Sequence, residues 1–167
     1  MPATENVAAF FYYCISIMSL ENDINQTKFR TEHQKVIINI IYTYNWMNEK
    51  LKSFFEKEDI TQQQFNILRI LRGAATPIST SQIRERMLDK MSDTSRIVDR
   101  LITKALVKKM VCSGDKRKVD VTITPKGRKL LEKLDAFEVT MDAVAGSLTE
   151  ADAKNVNKLL DKMRVSS

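Results

Sequence analysis

Apolar residues recur along this chain at two different periods, and the switch between them marks its organisation. From Phe29 to Phe55 they fall at three- and four-residue steps. Phe29, His33, Val36, Ile40, Tyr44, Met47, Leu51 and Phe54 form the stripe, and Ile37, Ile41 and Phe55 broaden it. That period predicts one long amphipathic helix. At 1.5 Å per residue it would run about 40 Å, more apolar face than a small domain covers from within. Shorter helices follow, each with its own start signal. Thr61-Gln62-Gln63-Gln64 and Ser79-Thr80-Ser81-Gln82 both read as capping boxes, in which hydroxyl and amide satisfy free backbone donors reciprocally. The first leads a helix with Phe65, Leu68, Ile70 and Leu71 inward, and Gly73 is expected to end it. Ala74 to Ile78 reads as a link holding Pro77. The second box leads a helix with Ile83 and Met87 inward. After a four-residue turn, Leu88 to Met91, Ser92 is expected to cap a helix running to about Lys104. That helix turns Ile97, Val98, Leu101 and Ile102 inward. Two short helices joined by a tight turn are the helix-turn-helix pattern.

The period then drops to two. Val107 to Cys112 and Lys118 to Thr124 read as strands, with Val119, Val121 and Ile123 alternating with polar residues. Ser113 to Arg117 would be the turn of this β-hairpin. Thr124-Pro125 marks a helix start, threonine as cap and proline at the first helical position. Leu130, Leu134, Phe137, Met141, Val144 and Leu148 make a heptad-like seam. Thr149 to Asp152 then caps a last helix with Ala153, Val156, Leu160 and Met163 on one face.

Charge adds to this picture. The chain has 167 residues and a net charge of +6. Between Thr61 and Lys133 stand 17 Lys and Arg against 7 Asp and Glu, a local net of +10, which leaves −4 for the flanks. A basic centre between acidic arms favours a polyanion-binding module carried by structural helices. An apolar share of 43% excludes global disorder, and 4 Gly with 3 Pro argue against a turn-dense all-β fold. Cys14 and Cys112 cannot build a disulfide scaffold, which suits a cytoplasmic protein; Cys112 reads as a small apolar filler. His33 is the sole histidine. It has no partner for acid–base work and no companions for a metal site. With no nucleophile–base pairing and no phosphate loop either, an enzyme is disfavoured and no cofactor or metal is expected.

Val7 to Leu20 is a mostly apolar run of 14 residues, shorter than the ~20 a helix needs to span a bilayer. Three readings stay open for it: Met18 is the true start, the run packs as a helix, or it touches a membrane. No membrane partner is expected otherwise. The chain therefore divides into an apolar extension (1–27), a first dimerisation helix (28–60), a basic helix-turn-helix module with its hairpin (61–127) and C-terminal dimerisation helices (128–167).

The helix after Ser92 has a polar face that includes Asp93, Ser95, Arg96, Asp99, Arg100, Thr103 and Lys104. Its N-terminus offers free N–H groups and a partial positive charge. Arg can bind guanine bidentately and Ser can contact bases or phosphates, so Ser92, Asp93, Ser95, Arg96 and Arg100 are candidates for double-stranded DNA. The hairpin adds Lys116, Arg117 and Lys118. An arm tipped with Arg suits the narrow minor groove, and Asp115 is placed to orient the Arg117 guanidinium.

The same residues carry a resemblance. Pro77 to Leu131 resembles the winged-helix core of MarR-type regulators, through Ser95-Arg96-Ile97-Val98-Asp99-Arg100-Leu101, Asp115-Lys116-Arg117, and Val119 to Gly127. The resemblance implies a mainly α fold with a small β-hairpin wing, a winged helix-turn-helix core flanked by long dimerisation helices. It also implies a homodimer reading a pseudo-palindrome, the helix from Ser92 in the major groove and Arg117 in the minor groove. Ala105 and Leu88 stand where the family often has Gly. Many relatives respond to small aromatic ligands, and Tyr42, Tyr44, Trp46 and Phe65 are the candidate lining of such a cleft. The expected activity is that of a repressor released by its ligand. The alternative is a winged-helix protein-interaction module that reads no DNA.

Overall fold

A computed structural model describes residues 19–112, 115–135, 139 and 142–165, with backbone alone for 111, 112 and 115–118. The apolar run up to Met18, Cys14, Phe137 and Met141 lie outside the described residues. The chain divides near Lys50 into two compact units.

In the first unit, Ser19 caps a single helical turn, α1 (Leu20–Asp23), and Leu20 is buried. The long helix α2 spans Glu32–Glu56. It begins three residues after Phe29 because the chain supplies its own start there. The Arg30 N–H donates to the Gln34 side chain at 2.7 Å and the Gln34 N–H to Thr31 Oγ1 at 3.1 Å. Phe29 instead lies under the Lys35 ammonium, 5.7 Å from its ring centroid, and Lys35 pairs with Glu21. His33 is exposed. Val36, Ile37, Ile41 and Tyr44 are 46–58% exposed, although the helical period that groups them is present.

In the second unit, α3 (Gln62–Gly73) leads to β1 (Ile78–Ser79), α4 (Thr80–Arg86) and α5 (Thr94–Thr103). The hairpin β2 (Val107–Cys112) and β3 (Asp115–Ile123) comes next, then α6 (Pro125–Asp135), a 3₁₀ turn at Ala143–Ala145 and α7 (Glu150–Met163). Both expected capping boxes form: Thr61 with Gln64 and Ser79 with Gln82. Thr149 and Asp152 close a third. Three antiparallel strands order as β1-β3-β2. β1 was not expected; Ile78 faces Val121 across the sheet, so the link after Pro77 ends as an edge strand. β3 begins at Asp115, three residues before the expected Lys118. Asp115 pairs with Cys112, and the register then shifts, the next pair being Val111 with Val119.

The core is one cluster fed by every element around the hairpin. Phe65, Ile67, Leu68 and Leu71 of α3 meet Ile83, Val98 and Leu101 of α4 and α5, Val107, Val121 and Ile123 of the sheet, and Leu131 and Leu134 of α6. Phe55 closes it, its ring 5.0 Å from Phe65. Arg72 makes a bidentate bridge to Asp135, tying α3 to α6, with Nη2 to Oδ1 at 2.9 Å. That guanidinium holds the Asp135 carboxyl below its ordinary range.

Two helix ends differ from expectation. Gly73 does not end α3 by a left-handed turn; Ala74 leaves the helix in extended backbone, φ −82 and ψ 126. Among the described residues, the left-handed region is used by Asn25, Asp59 and Ala105. Ala105, at φ 57, closes α5 with a Schellman motif. The Leu106 N–H donates to Leu101 O at 3.0 Å and the Ala105 N–H to Ile102 O at 2.8 Å. The backbone therefore keeps the glycine conformation although the residue has a Cβ. Leu88 carries no such strain, because it is not among the positive-φ residues. Ala105→Gly is expected to stabilise the protein by about 0.5–1 kcal/mol, the left-handed penalty of ~1–2 kcal/mol less the ~0.5–1 kcal/mol entropy cost of glycine. A thermal melt checks it; an unchanged or lowered midpoint would show that Ala105 is unstrained.

Candidate nucleic-acid interface

The helix α5 is anchored by its inner face and free on its outer one. Thr94, Val98 and Leu101 are buried, while Ser95, Arg96, Asp99, Arg100 and Thr103 are exposed. Its cap is Asp93, not Ser92. Asp93 Oδ1 accepts the Arg96 N–H at 3.1 Å. A carboxylate there both satisfies a free donor and meets the positive end of the helix dipole, which a hydroxyl does less well. Ser92 is half-buried and donates its hydroxyl to Asp89, three residues back in the turn. That hydrogen bond is the largest of the effects that hold the Asp89 carboxyl below its usual range, followed by the Met91 N–H. Ser92 thus holds the shape of the turn.

The cations divide into paired and unpaired. Asp99 is bridged by Lys109 of β2 at 2.8 Å, and Lys104 by Asp59 at 2.9 Å. Arg96 and Arg100 show no side-chain partner among the described residues. Both are charged donors on a rigid helix. Of the residues expected to touch DNA, Ser95, Arg96 and Arg100 share the outer face and Asp93 stands at its start. For Lys116, Arg117, Lys118 and the orienting Asp115, the strand path is described and the side chains lie outside the described residues.

Folding brings further groups to this face that sequence spacing does not link to it. Thr80, Ser81 and Arg84 of α4 line a depression of about 480 Å³ together with Met91, Ser92, Asp93, Thr94 and Ser95. Hydroxyls and an exposed guanidinium from the first helix of the pair stand beside the start of the second, a donor set suited to phosphate oxygens. The available signal was the run of hydroxyls at Ser79 to Ser81, read only as a cap.

The end of α5 is held as firmly as its start. Thr124 Oγ1 donates toward Ala105 O at 2.8 Å and Leu106 O at 3.1 Å, and accepts the Gly127 N–H at 3.1 Å. Lys126 Nζ reaches Lys104 O at 3.0 Å. The Thr-Pro-Lys-Gly stretch clamps the exit of α5 to the entry of α6.

The proposed aromatic lining is divided between the units. Tyr42, Tyr44 and Trp46 belong to the first; Tyr42 is half-buried, Tyr44 and Trp46 exposed. Phe65 belongs to the second, where it is core, packed on Phe55. Among the described residues no group of three or more His, Cys, Asp or Glu could hold a metal ion, and no helix is long and apolar enough to cross a membrane.

A capped helix, a tight turn, a second helix with exposed arginines and a three-stranded sheet with a hairpin define a winged helix-turn-helix protein. A family model described as the MarR family matches residues 60–119. The HTH-type transcriptional regulator PecS of Dickeya dadantii is 30% identical over 120 residues, 70% of this chain and 72% of its own. The chain belongs to the MarR family of DNA-binding transcriptional regulators, which are not enzymes. Solved structures agree on the fold. A mutant MarR from E. coli in complex with operator DNA superposes with a TM-score of 0.71 at 23% identity, over 88% of this chain and 99% of that one. BpsR of Bordetella bronchiseptica, whose DNA binding is regulated by 6-hydroxynicotinic acid, gives 0.69 at 24% identity, over 77% and 91%.

Proposed function

We propose that this protein is a cytoplasmic homodimer that binds a pseudo-palindromic operator in double-stranded DNA and represses by occluding it. The carrying observation is the outer face of α5, where Ser95, Arg96 and Arg100 are exposed on a helix whose inner face is locked in the core. In this reading α5 enters the major groove and presents Arg96 to a base edge. Thr80, Ser81 and Arg84 contact phosphates, and the hairpin carries Arg117 to the adjacent minor groove. The two modules are joined by the arms. Exposed Val36, Ile37, Ile41 and Tyr44 of α2, and Val156, Leu159 and Met163 of α7, are the apolar surface a second copy would cover. A small aromatic ligand at Tyr42, Tyr44 and Trp46 shifts the spacing of the two α5 helices and releases the DNA. The ligand-regulated binding of the structurally similar BpsR supports this last part.

A gel shift across a salt series tests the reading. Affinity should fall linearly on logarithmic axes, by roughly 10³–10⁵ between 50 and 200 mM salt for a dimer with 6–10 phosphate contacts. Arg96→Ala should lose about 1–3 kcal/mol on the best site, most of it as lost discrimination. Binding that ignores both salt and Arg96 would remove α5 from the mechanism.

A further inference from the structure

The turn between α4 and α5 exposes two large apolar side chains, Leu88 at 82% and Met91 at 94%. Neither is a floppy excursion of the chain. Asp89 Oδ1 accepts the Met91 N–H at 3.0 Å, the Ser92 hydroxyl donates to the same carboxylate, and the Lys90 ammonium donates to the Glu85 carbonyl. The backbone that carries Met91 is therefore fixed by bonds on both sides of it. Met91 stands two residues before the Asp93 cap, so it precedes the end of α5 that meets base edges in this motif. It also lines the depression shared by Thr80, Ser81, Arg84 and Ser95.

We infer that Met91 reads a thymine of the operator by packing on its 5-methyl group. The inference rests on the proposed function and deepens it. A protein partner would want an apolar patch of several hundred Å², and two side chains among hydroxyls and guanidinium groups do not make one. The major groove does offer the matching surface: an isolated methyl group on thymine, set among acceptors and close to phosphates. Thioether side chains suit such a contact, being unbranched, polarisable and able to adjust to a small apolar target. The match is of one apolar group inside a polar, cationic surround on each side.

Uracil differs from thymine only by that methyl, so it isolates the contact. The full chain is titrated with its selected operator, and with duplexes carrying uracil for thymine at one position at a time. One thymine in each half-site should show a loss of about fourfold, the weight of one buried methyl-sized group, ~0.8 kcal/mol. Met91→Ala should lose affinity for the thymine operator by a similar or greater factor and then be indifferent to uracil at that position. Leu88→Ala should keep the uracil response. The inference is overturned if the selected operator has no thymine, if the unaltered chain ignores uracil everywhere, if Met91→Ala responds as the unaltered chain does, or if Leu88→Ala is the variant that loses the response. In each of those cases specific DNA binding itself still stands. A chain that selects no operator overturns the proposed function, and this contact with it.

Discussion

Leu101→Ala is expected to lower the unfolding free energy by about 2–5 kcal/mol, the range for emptying a buried leucine site. Leu101 is 0% exposed, and it sits on the inner face of α5 directly behind the exposed Arg100. Its carbonyl accepts the Leu106 N–H at 3.0 Å, so it is also the anchor of the turn that ends the helix. Val98, Leu106 and Leu131 belong to the same buried cluster, and they are held by the backbone of α5, of the turn before β2 and of α6. Such a site cannot collapse freely, which places the loss toward the upper part of the range. Urea unfolding should show a lower midpoint with an unchanged slope. Operator binding should weaken at temperatures where the fold has loosened, although no group on the outer face was altered. A loss below about 1 kcal/mol would mean that α5 is not anchored by this residue.

Gly127→Ala is the second. A Cβ at this position would lie 2.3 Å from the Leu106 carbonyl oxygen and 2.8 Å from Cγ1 of Ile123. The nearer atom is backbone, so no side chain can swing away. That carbonyl also accepts the Thr124 N–H at 3.0 Å and the Thr124 hydroxyl at 3.1 Å. Moving it would therefore loosen the clamp between the end of α5 and the start of α6. Overpacking of this kind costs about 1–3 kcal/mol. A thermal melt measures it, and an alanine variant as stable as the parent would show that α6 approaches α5 less closely. Glycine is needed here for the space it leaves, whereas at Ala105 the demand is for a left-handed backbone. The two positions lie on either side of the same junction.

What was legible in the sequence follows the range of each interaction. The two expected capping boxes are set by residues three apart, and both form where the spacing placed them, while the expected cap at Thr149 closes a third. The inward faces of α3 and α5 follow from period alone, apart from Ile67, which the stripe left out and which is fully buried. β1 was not legible, because two residues become a strand only by meeting Val121 and Asp120 far along the chain. The start of β3 was misplaced because Ser113 to Arg117 has the composition of a turn, while Asp115 pairs with Cys112 beyond a register shift in the ladder. The cap of α5 was assigned one residue early because Ser92 and Asp93 are both good cap residues. The hydrogen bond from Ser92 to Asp89 decides between them. For the site, the outer face of α5 was readable from helical spacing. Thr80, Ser81 and Arg84 were not, since only the packing of α4 on α5 brings them beside Ser95.

The most direct test of sequence-specific dimeric binding is selection of bound duplexes from a random DNA pool by the full chain. A dimer reading through two α5 helices should enrich a palindromic consensus with half-site centres about 10–10.5 base pairs apart, one helical turn. A pool that stays random, or one that yields a single unpaired half-site, would contradict it.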